Sequence, residues 1–126
     1  MHLLDSSVWI ALFIEDDSCH ARAELIFVSL TGIVYVPYCI VLEVVTILER
    51  KHSLQQALKF LSFIENDARV LLVNDDIHEE VDFFVGLGES TSFVDASLLF
   101  LSKKLGAQLT TFDKNLLLLA KKNYSL

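Results

Sequence analysis

Short apolar runs alternate along the whole chain with longer stretches of helical periodicity, and this alternation most restricts the folds open to it. His2-Leu3-Leu4-Asp5, Ile33-Val34-Tyr35-Val36, Arg69 to Val73 and Gln108 to Thr111 are of strand length and mostly aliphatic or β-branched. Between them the spacing turns helical. Ser53 precedes Leu54, Ala57, Leu58, Leu61 and Ile64, which share one face at i, i+3, i+4 and i+7. Ser6 or Ser7 opens a helix from Val8 to about Ile14, and a second runs roughly from Cys19 to Leu30 and stops at Thr31-Gly32, where glycine suits a left-handed position just past the helix. Pro37 closes the second strand, and Ile40 to Arg50 is helical with Arg50-Lys51 in its last turn. Asn74 or Asp75 caps a helix to about Leu87, followed by a loop marked by Gly86, Gly88 and Glu89. Ser92 to Leu105 is helical, and Asp113 or its neighbours begin a last helix through Leu116 to Lys121. Strands alternating with helices predict a parallel sheet covered on both faces, a three-layer α/β/α sandwich of Rossmann-like type.

At 126 residues, 53% of them apolar and with one Pro and four Gly, residues 1–126 are expected to form a single domain with its own core. Disorder and a turn-rich β-sandwich do not suit that composition. Cys19 and Cys39 form no CxxC pair, so reduced thiols and a cytoplasmic location are expected. The uncharged stretch Leu25 to Leu42 is interrupted by Ser29, Thr31-Gly32 and Pro37, and no basic segment precedes it, so a membrane span and a signal peptide are not expected. The net charge of −7 argues against holding nucleic acid by bulk attraction. It is compatible with a carboxylate metal site or a basic protein partner.

Four acids stand where buried or cleft-facing positions are expected: Asp5, Glu43, Asp95 and Asp113. Each has a plain structural reading. Asp5 can cap the first helix, although Ser6 and Ser7 can do so instead. Ser92-Phe93-Val94-Asp95 fits a capping box, and Asp113 can cap the last helix. Glu43 is harder to explain, because Ile40, Val41, Leu42, Val44, Val45, Ile47 and Leu48 surround it and Ile47 occupies the i+4 position of a helical ion pair. Buried acids are costly unless something positive meets them, and hard divalent cations take oxygen ligands. In open parallel sheets ligands bind beyond the C-terminal strand ends, where Asp5 and Asp113 are expected.

Leu4-Asp5-Ser6-Ser7-Val8, Val41-Leu42-Glu43-Val44, Ser92-Phe93-Val94-Asp95-Ala96 and Thr110-Thr111-Phe112-Asp113-Lys114, in this order and spacing, resemble the PIN domain, particularly the small single-domain toxins of the VapC type. The likeness covers essentially the whole chain. It implies an α/β/α sandwich and a metal-dependent endoribonuclease site formed by Asp5, Glu43, Asp95 and Asp113, with Ser6 and Thr111 at supporting hydroxyl positions. It also implies a homodimer and a cognate antitoxin. Ser6 stands where Thr is frequent and Asn115 where an acid is common; the segment from Leu72 to Gly88 matches no motif of the family.

The expected chemistry is hydrolysis of an RNA phosphodiester, with Asp5, Asp95 and Asp113 holding Mg²⁺ or Mn²⁺ and Glu43 positioning or deprotonating the attacking water. One alternative is a PIN-like protein-binding module that does not catalyse. A phosphotransfer receiver domain ranks lower, since it requires adjacent acids at the first strand and Asp5 stands alone there.

Overall fold

The computed structural model describes residues 1–74 and 76–124. The elements, in chain order, are β1 (His2–Leu4), α1 (Ser6–Phe13), α2 (His20–Ser29), β2 (Val34–Pro37), α3 (Tyr38–Lys51), α4 (Leu54–Asn66), β3 (Val70–Val73), α5 (Ile77–Leu87), α6 (Phe93–Leu105), β4 (Gln108–Thr110) and α7 (Lys114–Tyr124). The four strands form one parallel sheet in the order β3-β2-β1-β4. Leu3 pairs with Tyr35 on one side and with Leu109 on the other, so β1 is central. Successive strand residues point to opposite faces. Leu3 and Leu4 are both fully buried, so helices cover both faces of the sheet as the α/β/α reading requires.

One core cluster joins Leu4, Val34 and Val36 of the sheet to Val8, Ile40, Phe60 and Leu98 of the helices. An aromatic group of Trp9, Phe13, Phe27, Phe60 and Phe63 ties α1, α2 and α4 together, with Trp9 and Phe60 edge to face at 5.6 Å. Among the described residues no helix is long and apolar enough to cross a membrane.

Several helix boundaries differ from the expected ones. The first helix begins at Ser6 rather than Val8, because Asp5 and not a serine is its N-cap. The third begins at Tyr38, directly after Pro37, rather than at Ile40. Asp76 caps α5, its carboxylate accepting from His78 N at 3.0 Å, in place of Asn74; Asp75 lies outside the described residues. The helix α2 ends at Ser29, and Gly32 takes φ +88° two residues beyond the cap Leu30, where the chain turns back into β2.

Candidate active site

The strand order reverses between β1 and β4: the chain moves outward from β1 through β2 to β3 and returns to β4 on the other side of β1. Such a reversal opens a crevice at the C-terminal strand ends. Asp5 and Thr111 flank it. Asp5 N donates to Thr110 O at 2.9 Å, which extends the β1–β4 pairing by one residue and fixes the two side chains beside each other.

Asp5 is 4% exposed, and hydrogen-bond donors reach both of its carboxylate oxygens. Oδ1 accepts from Ser6 N at 2.7 Å and from Ser6 Oγ at 3.3 Å; Oδ2 accepts from Thr111 Oγ1 at 2.7 Å and from Ser7 Oγ at 3.0 Å. A buried carboxylate needs such partners to remain in place. The single proton of the Ser6 hydroxyl is shared between Asp5 and Glu43 Oε1, with Glu43 the nearer acceptor, so one hydroxyl links the first acid to the second, which α3 carries in from a distant part of the chain. Glu43 is half-buried at this contact, in agreement with a cleft-facing position.

Thr111 is a two-way brace. Its hydroxyl donates to Asp5 and accepts from Asp113 N at 2.9 Å. Asp113 Oδ1 in turn accepts from Asn115 N at 2.8 Å and Leu116 N at 3.2 Å, so this acid does cap the last helix, and it is exposed. Asp95 enters from the first turn of α6. Its own N–H donates to Ser92 Oγ at 3.0 Å, as in a capping box. Burial raises the Asp95 carboxyl to about 6, and the negative charges of Asp5, Asp113 and Glu43 push in the same direction against a lowering hydrogen bond from Ser92. The other three acids therefore lie close enough for their charge to reach Asp95.

Ser7 is the residue that sequence reasoning credited only with capping. Its hydroxyl donates to Asp5 and accepts from Phe112 N at 3.1 Å, joining the start of α1 to the segment after β4. The signal was the second hydroxyl in Asp5-Ser6-Ser7, which one cap cannot use. Glu43 also lines an apolar groove of about 490 Å³ between α3, α5 and α6, walled by Tyr38, Leu42, Ile77, Phe93 and Val94. The other three acids lie outside it, so the groove borders the cluster without containing it.

Side-chain ion pairs among the described residues include those of Glu24, Asp67, Glu79 and Glu89. Among the same residues no three His, Cys, Asp or Glu side chains close on one point as a ready-made cation cage. The donor set nonetheless fits a hard cation in kind: it is all carboxylate oxygen, and Mg²⁺ is commonly held by one or two carboxylates with water completing the octahedron.

The sequence model of the PIN domain matches residues 2–122. The chain belongs to the PIN domain family. Its fold is also that of Mycobacterium tuberculosis VapC20, a toxin that cleaves the sarcin–ricin loop: the structures agree with a TM-score of 0.84 over 94% of this chain and 95% of that one, at 23% sequence identity. No curated protein matches the chain by sequence. The family and the fold are as the four motifs implied.

Proposed function

We propose that this PIN domain is a metal-dependent endoribonuclease, the toxin of a type II toxin–antitoxin pair. The observation that carries this reading is Asp5: a nearly buried carboxylate braced by three hydroxyls, one of which also holds Glu43, in a cleft where Asp95 feels the charge of the other three acids. A structural cap needs no such assembly. The fold shared with an RNA-cleaving toxin supports the same conclusion.

Asp5, Asp95 and Asp113 would hold Mg²⁺ or Mn²⁺, which supplies Lewis-acid activation of water and neutralises charge on the phosphate. Ser6 occupies Glu43 Oε1, which leaves Oε2 to take the proton of the water attacking phosphorus in line with the leaving oxygen. Ser7 and Thr111 keep the Asp5 carboxylate from rotating, and Thr111 also sets the backbone from which Asp113 projects. The net charge of −7 suits an antitoxin with a basic tail, and a cytoplasmic homodimer is the expected working form.

The competing reading is a protein-binding module without activity, and the absence of a closed three-ligand group among the described residues is the observation in its favour. Purified protein incubated with RNA and Mn²⁺ decides between them. Cleavage by the parent chain, lost by at least about a hundredfold in Asp5→Asn, is expected for a site of this kind. Equal cleavage by the two proteins contradicts the site, and no cleavage across varied RNAs favours the module.

A further inference from the structure

The acid cluster has a second approach, on the Asp95 side. A polar cleft of about 530 Å³ lies between the segment joining α5 to α6 and the helix α7, and Asp95 forms part of its wall. Ser90, Thr91, Ser92 and Asn115 give it hydroxyl and amide groups, and Lys122 is the cation among its lining residues. Lys122 Nζ sits 2.5 Å from Glu89 Oε2, an ion pair joining the two sides of the cleft.

That pair is open to water, with Lys122 69% and Glu89 28% exposed. Ion pairs this solvated contribute little to stability, so an arriving anion can take over the ammonium at small cost. In a protein of net charge −7, beside four acids, the ammonium is the group in this cleft that attracts a polyanion while its neighbours Glu89 and Asp95 repel one.

We propose that this cleft is a subsite for the RNA strand, in which Lys122 exchanges Glu89 for a backbone phosphate adjacent to the one being cleaved. The hydroxyls and the Asn115 amide offer hydrogen bonds to sugar and base edges of an unpaired strand. Glu89 holds Lys122 in the cleft and competes with RNA for it. The inference rests on the ribonuclease reading above and adds to it a path for the strand, leaving the cluster past α7.

Fluorescence anisotropy of a labelled, single-stranded phosphorothioate RNA with the full chain in Mg²⁺, repeated over a salt series, tests it. Lys122→Ala should weaken binding about fivefold at low salt and make the logarithmic salt dependence shallower by about 0.7, the value for one lost phosphate contact on a single strand. Glu89→Gln should do the reverse and tighten binding. Lys121→Ala, whose side chain lines a separate groove beside β4, should leave binding unchanged. If the pair is merely a tie between α7 and the preceding segment, Lys122→Ala and Glu89→Gln will shift binding and melting temperature in the same direction, and the proposal is overturned. It is equally overturned if both variants bind like the parent chain while that chain still cleaves RNA, an outcome that leaves the nuclease reading standing. A parent chain that neither binds nor cleaves any RNA removes both.

Discussion

Asp5 serves two purposes that sequence reasoning set against each other. Its Oδ1 caps α1 through Ser6 N while Oδ2 is held by Ser7 and Thr111, so one carboxylate is both helix cap and centre of the acid cluster. Thr111 is the most informative residue to change, because it is 7% exposed and loses its donor to a buried acid when the hydroxyl is removed. Thr111→Val should cost about 1–3 kcal/mol in urea denaturation and reduce cleavage, and Thr111→Ser should restore most of both. Asp95 makes a prediction about pH. Its carboxyl titrates near 6 in the fold against an ordinary 3.8, so between those values the folded chain keeps a proton that the unfolded chain has lost. The contribution of Asp95 to stability therefore falls as pH rises from about 4 to about 6, and its full cost is present above that range. A divalent ion competes with that proton. Mn²⁺ should accordingly raise the melting temperature more at about pH 7 than at about pH 5, and Asp95→Asn should reduce this difference.

At the level of elements, side-chain caps govern much of where the helices begin. Ser53 Oγ accepts from Gln56 N at 3.1 Å at the start of α4, beside a cleft that none of the four acids lines. Ser53→Ala should lower stability by about 1 kcal/mol in chemical denaturation and leave cleavage of RNA unchanged. This helix was legible because its cap and its apolar spacing agree. The start of α5 was not: Asn74, Asp75 and Asp76 are all competent caps in succession, and local chemistry gives no reason to choose Asp76. The four strands were legible from their aliphatic runs, but among the described residues β3 pairs only with β2 and leaves Leu71 and Leu72 about half exposed, which an apolar run alone does not reveal. The contacts from Ser6 to Glu43 and from Thr111 to Asp5 were implied by the family resemblance and not by local chemistry. Both contacts bridge residues far apart in sequence, and only the sheet order β3-β2-β1-β4 brings them together.

For the molecule as a whole, parallel strands deliver their C-terminal ends to one edge, and helices α3 and α6 bring Glu43 and Asp95 to that edge from outside the sheet. The result is a negative site in a chain that is already acidic. The Ser6, Ser7 and Thr111 hydroxyls offset part of the charge on Asp5 and Glu43, and a doubly charged ion would complete the balance. Anomalous scattering from crystals grown with Mn²⁺ addresses this most directly. A peak within about 2.0–2.4 Å of an Asp5 carboxylate oxygen, with Asp95 or Asp113 beside it directly or through water, is the predicted result. A fully loaded crystal whose Mn²⁺ peaks all lie away from Asp5 would contradict it.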